Sequence, residues 1–315
     1  MKTGFVFDEK YLQHITFDGH PECPQRLLVI VKGLIDEGLL QQMALIQPEP
    51  ANQRWIEAVH HVRYIMRFEE ACSWGLPDID HQDNSICRDS YDIALLAAGG
   101  VLKAIDNVME QKVKNAFCAV RPPGHHAEVD TAMGFCYFNN VAVGARYLQR
   151  QWDIKKVCII DFDVHHGNGT QHIFEDDDTV FYYSIHEHPS FAYPGTGRDF
   201  ETGTSEGEGF TLNNPVFPGA GDDIYKEKLE CELIPAFEKF DPDFVLLSSG
   251  FDAHASDLMS GTELSTEGYD FVNNTILTLC EEVAGGKVVS VLEGGYNLEV
   301  LPLLVSNHIK RLMGK

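Results

Sequence analysis

Short apolar runs alternate with longer amphipathic segments along the whole chain. Runs of about four to eight residues that are rich in β-branched side chains are typical of buried strands, and they occur within 1–7 and at 116–120, 155–160, 179–185, 244–248 and 287–292. Apolar residues at helical spacing predict helices at 27–35, 91–109, 140–149, 224–239 and 266–283. This alternation predicts an α/β fold, with a mostly parallel central sheet and helices on both faces.

Two segments fall outside this alternation and are predicted to be loops. Residues 72–91 contain a glycine, a proline and several aspartates, which favour a surface loop. Residues 187–223 are rich in glycine and proline, and loops of that length are usually functional. Gly99-Gly100 is expected to interrupt the longest helix, and Arg26 is expected to lie in solvent. Without repeats or a low-complexity linker, residues 1–315 are predicted to form a single three-layer domain.

Unusual polar residues follow four of the predicted strands, at the point where each strand ends. They are His125 and His126, then the group Asp161, Asp163 and His165, then Asp252, and finally Tyr296. If the strand at 155–160 continues through Val164, the three members of the second group share one face. Because ligands bind beyond the carboxyl ends of the strands in open α/β sheets, these residues predict one site.

The side chains of Asp163, His165 and Asp252 offer two carboxylates and one imidazole to a common point. Unpaired charges are very costly to bury, and a divalent cation such as zinc would remove that cost. Three protein ligands leave positions open for water and substrate, as a catalytic zinc requires. Asp161, one step deeper, would support the ligands. The alternative is a surface loop that is merely rich in acid and histidine.

Composition narrows the classes of function. The net charge is −24, from 48 acidic and 24 basic side chains, and no basic patch for nucleic-acid phosphates is evident. This acidity favours a cationic or neutral small substrate. There is no run of about 18 apolar residues and no apolar leader at the N-terminus, so no membrane span or signal peptide is predicted. Eight scattered cysteines without a Cys-x-x-Cys pair favour reduced thiols in a cytoplasmic protein.

The order of motifs resembles that of the histone deacetylase superfamily, which has the arginase–deacetylase fold and includes bacterial acetylpolyamine amidohydrolases. The motifs are His-Pro-Glu-x-Pro-x-Arg at 20–26, Arg-Pro-Pro-Gly-His-His-Ala at 121–127, Gly-Phe-Cys-Tyr-Phe-Asn-Asn at 134–140, Asp-x-Asp-x-His-His-Gly-Asn-Gly-Thr at 161–170, Tyr-Pro-Gly-Thr-Gly at 193–197, Gly-Phe-Asp-Ala-His at 250–254 and Glu-Gly-Gly-Tyr at 293–296. A His-His pair alone is weak evidence, whereas the whole set in this order is specific. Asn168 stands where some members have an aspartate that contacts the second histidine, which places the chain nearer the class II pattern.

The resemblance implies a role for each position. One zinc ion would be bound by Asp163, His165 and Asp252. His126 would be the general base and then the acid toward the leaving amine. His125 would pair with Asp161, and Tyr296 would donate to the developing oxyanion.

The resemblance also implies an alkali-ion site and a substrate tunnel. A structural potassium ion would be held by Asp161, Asp163, His165 and Ser184. The tunnel to the zinc would be lined by Gly134, Phe135 and Tyr193. Met259 would guard the tunnel with a soft apolar surface that suits a lysine stem better than a second ammonium group. Asp83 would clamp the substrate backbone at the mouth, and the alternative is that it is a solvated loop residue.

Three functions are consistent with this pattern. The first is a zinc-dependent amide hydrolase that deacylates an acyl-lysine or an acetylpolyamine. The second is an arginase-like dimanganese hydrolase, which needs an Asp-x-Asp arrangement where this chain has Asp252 and His254. The third is a non-catalytic binder of acylated ligands, which loss of a metal ligand, His126 or Tyr296 would favour, and all are present. A peptide or small acylated amine is the expected partner, without nucleic acid or membrane, and a homo-oligomer is left open.

Overall fold

The computed structural model describes residues 1–315 and confirms an α/β fold. The strands are β1 (Gly4–Val6), β2 (Ala44–Ile46), β3 (Asp78–Ile79), β4 (His81–Ser85), β5 (Ala116–Cys118), β6 (Val157–Asp161), β7 (Val180–Glu187), β8 (Thr211–Val216), β9 (Phe244–Ser249) and β10 (Val288–Leu292). The helices are α1 (Gln25–Asp36), α2 (Gln53–Ile56), α3 (Val62–Trp74), α4 (Ser90–Met109), α5 (Asn140–Trp152), α6 (Asn168–Phe174), α7 (Asp222–Lys228), α8 (Ile234–Phe240), α9 (Thr266–Glu282) and α10 (Leu301–Leu312).

Eight parallel strands form one sheet in the order β2-β1-β5-β10-β9-β6-β7-β8. Leu246 of β9 points toward Gly144 of α5 on one face of the sheet. Ser290 of β10 is paired with Leu247, so it points to the opposite face, where its hydroxyl lies 2.8 Å from His308 Nε2 of α10. Helices thus cover both faces, and the central strands are buried along their whole length.

Both segments predicted to be loops contain strands, and those two predictions are wrong. Residues 72–91 include the end of α3 and the β3–β4 hairpin. Residues 187–223 include β8, which pairs with β7 from Tyr182 opposite Thr211 onward. The proline and glycine content hid β8, yet Pro215 is tolerated because an edge strand need not donate every backbone N–H.

The longest helix, α4, continues through Gly99 and Gly100, so the predicted interruption is also wrong. A Cβ atom at Gly99 would lie 1.8 Å from the carbonyl oxygen of Glu49, and one at Gly100 would lie 2.7 Å from the Tyr11 hydroxyl. Neighbouring segments therefore approach the helix too closely for any side chain there. The close packing offsets the roughly 1 kcal/mol that each glycine costs in a helix interior.

None of the helices combines the length and the apolar character needed to cross a bilayer. All eight cysteines are unpaired.

A buried histidine makes the stability of this fold depend on pH. His308 Nδ1 lies 2.8 Å from Asn273 Oδ1, and Nε2 lies 2.8 Å from Ser290 Oγ. Burial lowers the pKa of the His308 imidazole to about 3, whereas the unfolded chain protonates near its ordinary value of about 6.5. Between these two pH values, the unfolded state binds one more proton at His308 than the folded state does. The contribution of His308 to the free energy of unfolding is therefore fully present above about pH 6.5 and is lost as the pH falls toward 3.

We expect His308→Gln to flatten the pH dependence of stability in acid. One proton corresponds to about 1.4 kcal/mol per pH unit, so the slope of the unfolding free energy between pH 4.5 and 5.5 should fall by about that amount. Urea unfolding at each pH measures this slope. His81 is exposed, and His81→Gln serves as the control. Equal slopes in wild type and His308→Gln would contradict the assignment.

Candidate active site

Four neighbouring strands at the centre of the sheet deliver the predicted polar residues to one edge. In sheet order, β5 leads to His125 and His126, β10 to Tyr296, β9 to Asp252, and β6 to Asp163 and His165. Except for the half-buried Tyr296, all of these side chains are buried. Residues far apart in sequence thus meet at the carboxyl end of the sheet.

The segment after β6 leaves the sheet earlier than predicted. The strand ends at Asp161 rather than continuing through Val164, so Asp163 and His165 lie in a loop. Side-chain oxygens replace the strand ladder there: Asp161 Oδ1 accepts from the N–H of Asp163 (3.1 Å), and Asp163 Oδ1 accepts from the N–H of His165 (2.9 Å). These local bonds hold the loop in shape while the side chains turn inward.

The side chains of Asp163, His165 and Asp252 form a compact buried group. His165 Nδ1 lies 3.1 Å from Asp163 Oδ1 and 3.2 Å from Asp252 Oδ2. Four tetrahedral ligands at about 2.0–2.1 Å from one zinc ion are about 3.3 Å apart, so the spacing fits a common ion. Asp252 Oδ2 is buried and receives no hydrogen bond. A metal ion would satisfy this atom, whose lone pairs otherwise lack a partner.

The electrostatics of this group also favour a cation. Although burial disfavours the imidazolium, Asp163 and Asp252 raise the pKa of His165 well above its usual range. Burial, together with the charge of Asp163, raises the pKa of Asp252. Two carboxylates in one dry pocket thus need a compensating positive charge, which a divalent ion can supply in place of the proton.

Glycines allow the backbone to close around the group. A Cβ atom at Gly294 would lie 2.0 Å from Asp252 Oδ2, and one at Gly250 would lie 2.2 Å from Asp163 Oδ2. The N–H of Gly294 donates to Asp163 Oδ2 (2.7 Å), which directs the other oxygen toward His165. Any side chain at these positions would displace a carboxylate.

His125 is held by Asp161, as the resemblance implied. Its Nδ1 donates to Asp161 Oδ2 (3.0 Å), which also accepts from the Tyr182 hydroxyl (3.1 Å). Burial opposes the charged ring, but Asp161 and Asp163 outweigh it and raise the pKa of His125 to about 10. His125 therefore retains its proton at neutral pH and can act only as a donor.

His126 has the opposite character. Burial, and then the positive charges of His125 and His165, lower its pKa well below the usual range. Its Nδ1 lies 2.7 Å from Asn168 Oδ1, and its ring centre lies 4.0 Å from that of His125. A neutral imidazole beside a charged one can accept a proton, which suits it to be the base of the pair.

Arg26 is buried behind Tyr296 rather than in solvent, so that prediction is wrong. Its guanidinium donates to the carbonyl oxygens of Gly295 (2.7 Å) and Glu293 (2.5 Å), and it lies 4.9 Å from the centre of the Tyr296 ring. Glu22 pairs with it at 3.2 Å. These contacts fix the loop that carries Tyr296. The only signal in the sequence was the position of Arg26 in the first motif, because Glu293 and Gly295, whose carbonyl groups it binds, lie more than two hundred residues away.

Two further carboxylates that the sequence analysis did not single out also fix the site. Glu293 accepts from the N–H groups of Gly124 (2.7 Å) and His125 (3.2 Å), which ties the two histidines to β10. Asp257 Oδ2 accepts from the N–H of Tyr296 (2.7 Å), while its Oδ1 accepts from that of Met259 (3.1 Å). Glu293 opens the Glu-Gly-Gly-Tyr motif, whereas nothing local marks Asp257.

Two partly exposed aromatic rings lie beside the group. The Tyr193 ring centre lies 5.0 Å from that of His126, and the Phe135 ring centre lies 6.0 Å from that of Tyr296. Gly134 separates them, and a Cβ atom there would lie 2.3 Å from the His126 ring. Phe135 adopts a φ of 68°, which is uncommon for a bulky residue. The N–H of Phe135 donates to Asn84 Oδ1 (2.9 Å), which helps to hold that conformation.

The two predicted rim residues lie on different elements. Asp83 is in β4, not in a loop, and its carbonyl oxygen lies 3.0 Å from His20 Nε2. Burial, and then the negative charge of Asp83, raise the pKa of Tyr193. The Met259 side chain is 37% exposed. The clamping role of Asp83 stays a prediction.

Other groups of metal-binding residue types do not have free ligands. One such group is formed by His125, Cys136 and Glu293. His125 already bonds to Asp161, and Cys136 bonds to the Gly134 carbonyl oxygen. Glu293 accepts from a backbone N–H group. His254, where a dimanganese site needs a carboxylate, is turned toward Thr266 Oγ1 at 3.2 Å. A second metal ion beside the first therefore lacks ligands.

Comparison with known proteins gives consistent matches. A sequence profile of the histone deacetylase domain matches residues 20–312. A "Probable deacetylase" of Archaeoglobus fulgidus is 38% identical over 302 residues, which cover 95% of this chain and 82% of that protein. A "Histone deacetylase-like amidohydrolase" of Pseudomonas aeruginosa is 35% identical, with 99% of this chain and 86% of that protein covered.

Plant relatives are similar over part of their length. Histone deacetylase 5 of Arabidopsis thaliana is 39% identical over 313 residues, and this chain spans 47% of it. Among solved structures, the HD domain of HDA15 superposes with a TM-score of 0.94 at 36% identity, which covers 100% of this chain and 88% of that one.

Proposed function

Because the chain belongs to the histone deacetylase family, a family of amide hydrolases, we propose that it is a zinc-dependent deacetylase. It would remove an acetyl or acyl group from the nitrogen of an amine. The observation that carries this proposal is the buried group Asp163, His165 and Asp252, with the unsatisfied Asp252 Oδ2. A neutral histidine and a tyrosine at the same sheet edge supply the remaining functional groups that hydrolysis of an amide needs.

The metal would be held by Asp163 Oδ, His165 Nδ1 and Asp252 Oδ2, whose mixed oxygen and nitrogen donors suit zinc. When bound, such an ion polarises the amide carbonyl and lowers the pKa of a water molecule toward about 7. A potassium ion near Asp161 and Ser184 is a further proposal, supported by the register that places these two residues side by side on β6 and β7.

His126 would move the protons. Its Nδ1 faces Asn168, so Nε2 carries the lone pair that removes a proton from the attacking water. The same nitrogen then delivers that proton to the amine as the C–N bond breaks. His125 keeps its proton and so contributes positive charge close to the reacting atoms.

Tyr296 would stabilise negative charge. Its hydroxyl would donate to the amide oxygen as the carbonyl becomes tetrahedral. Burial raises the pKa of this hydroxyl well above its usual range, so it stays protonated and able to donate. Arg26 holds the ring of Tyr296 in place, and Asp257 holds its backbone.

We propose acyl-lysine, in a peptide or a small molecule, as the substrate class. The ring pair Phe135 and Tyr193 would enclose an apolar stem, and Met259 offers a thioether rather than a carboxylate at the rim. An acetylpolyamine is the second candidate, favoured by the net charge of −24. That long-range field is screened by salt, whereas a contact at the rim is not.

We therefore expect the wild-type protein to prefer an acetyl-lysine peptide to acetylspermidine in kcat/KM. Met259→Glu should narrow or reverse the preference, because a carboxylate at the rim attracts the second ammonium group. Both rates are to be measured at about 0.5 M salt, where the Debye length is only a few ångströms. Leu303 is similarly exposed, and Leu303→Glu is the matched control for charge. A strong wild-type preference for acetylspermidine under these conditions would refute the substrate class.

The broader proposal is tested by acetate release from zinc-loaded protein. Acetyl-lysine peptide, acetylspermidine and longer acyl-lysines are offered in parallel, and hydrolysis of at least one is expected. Binding of acyl-lysine without turnover would favour the non-catalytic alternative. Urea release from arginine by the manganese-loaded protein would revive the arginase-like alternative.

We also propose that the protein is located in the cytoplasm, because its unpaired cysteines favour that compartment.

A further inference from the structure

A chain of hydrogen bonds leads from His126 to a carboxylate outside the predicted site. Asn168 Oδ1 lies 2.7 Å from His126 Nδ1, and on the other side Asn168 Nδ2 donates to Glu128 Oε1 (2.5 Å). His172 Nδ1 lies 2.8 Å from the same oxygen of Glu128. The Glu128 side chain is mostly buried, whereas that of His172 is substantially exposed. This series of hydrogen bonds thus runs from the proposed base, His126, toward the surface.

The two ends of an amide are not equivalent, and this makes the orientation of Asn168 decisive. Its oxygen accepts a hydrogen bond from a neighbour, while its NH₂ group donates one. If the oxygen faces His126, Nδ1 of the ring must carry the proton and Nε2 is free to act as a base. If the amide were reversed, its NH₂ group would require the lone pair on Nδ1 and would place the proton on Nε2, where it blocks the base.

Glu128 resolves this choice because a carboxylate can only accept. Next to it, the NH₂ group of Asn168 is the end that can form a hydrogen bond, and the same group also donates to the His126 carbonyl oxygen (3.3 Å), so the amide oxygen is turned toward the His126 ring. Glu128 is itself fixed by its backbone, since its N–H donates to the carbonyl of Thr131 (3.0 Å) and its carbonyl oxygen lies 2.8 Å from His60 Nδ1.

We propose that Glu128 is a positioning residue that selects the catalytic tautomer of His126 through the amide of Asn168. This inference rests on the proposed function, in which His126 Nε2 is the base. An aspartate at position 168 could present only acceptors to His126 and would need no such partner. An asparagine can present either end of its amide to His126, and Glu128 fixes which end does so by its hydrogen bond to the NH₂ group.

The first test removes the acceptor. Glu128→Met is expected to lower kcat about tenfold or more, as for other residues that orient a functional histidine, while KM and zinc content stay close to wild type. Glu128→Gln loses the charge but keeps one acceptor oxygen, so it should retain most of the activity. Glu282→Met, on the exposed end of α9, controls for loss of a surface glutamate. Equal damage from Gln and Met would show that charge matters and would overturn the proposal.

The second test is a double-mutant cycle with Asn168→Asp. With aspartate at position 168, Glu128 no longer selects an orientation and instead repels a second carboxylate. Glu128→Met should therefore be harmful in the wild type and neutral or beneficial beside Asn168→Asp. The same fractional loss in both backgrounds would mean that Glu128 only supports the structure, which would contradict the proposal.

The third test does not depend on turnover. In zinc-loaded protein with ¹⁵N-labelled histidine, the resonances of His126, identified with His126→Asn, should show a protonated Nδ1 and an unprotonated Nε2. Glu128→Met should yield a mixture of both tautomers or the reverse one. An unchanged Nδ1–H tautomer in Glu128→Met would overturn the proposal. If wild-type protein hydrolyses no acylated amine, the proposed function fails, and the tautomer measurement still decides the role of Glu128.

Discussion

Asp252→Ala protein is expected to bind no zinc and to lose deacetylase activity by about a thousandfold or more. Asp252 Oδ2 is a buried atom without a hydrogen bond, and it faces His165 Nδ1 at 3.2 Å. Removing it leaves two of three protein ligands. A metal ion contributes several kcal/mol of charge stabilisation to a hydrolytic transition state, and about 4 kcal/mol corresponds to a thousandfold in rate.

The measurement pairs metal analysis with acetate release on the same sample. Asp223→Ala, on the exposed side of α7, removes a carboxylate that is not part of the buried group and should behave like wild type. A melting temperature above the assay temperature shows that the Asp252→Ala chain is folded. Zinc-loaded Asp252→Ala with near-normal turnover would contradict the assignment of the ligand set.

Tyr296→Phe is expected to keep the metal and the fold but to lower kcat by about a hundredfold or more. The change removes only a hydroxyl group, and loss of one oxyanion donor costs roughly 10²–10³ in kcat. KM should change little, because the hydroxyl would act on charge that develops during the reaction. The ring keeps its contacts with Arg26 and Phe135.

The fold provides a matched control for this change. Tyr183 has a buried hydroxyl without a hydrogen-bond partner, so Tyr183→Phe removes the same atom where it makes no bond. Its activity and stability should be close to those of wild type. If Tyr296→Phe also kept wild-type kcat, the oxyanion would have to be stabilised by another group.

Local sequence patterns were sufficient for the core of the sheet. β6, β9 and β10 are short apolar runs buried on both sides, and such runs predict strands directly. These patterns were insufficient where a strand forms only because a neighbouring strand pairs with it. β8 reads Thr-Leu-Asn-Asn-Pro-Val and exists because β7 offers it an edge. Likewise, β6 ends at Asp161 because a side-chain hydrogen bond replaces the hydrogen bonds between strands there. The hydrophobic pattern of the sequence does not indicate that bond.

The same distinction applies to the candidate site. Residues at the ends of buried strands could be placed from the sequence, because the topology of a parallel sheet brings strand ends together. Residues defined by distant contacts could not. Arg26 looks like a surface arginine until its bond to the Glu293 carbonyl, 267 residues away, is known. Glu128 and Asn168 are 40 residues apart and meet only in the folded chain.

One metal ion, bound by Asp163, His165 and Asp252, is proposed to make this protein an amide hydrolase. Titration of metal-free protein with zinc, followed by acetate release from an acetyl-lysine peptide, tests it most directly. Activity should rise in proportion to added zinc and reach a plateau at about one equivalent per chain. Activity that appears only with two equivalents of manganese, or no hydrolysis of the peptide at any zinc concentration, would contradict it.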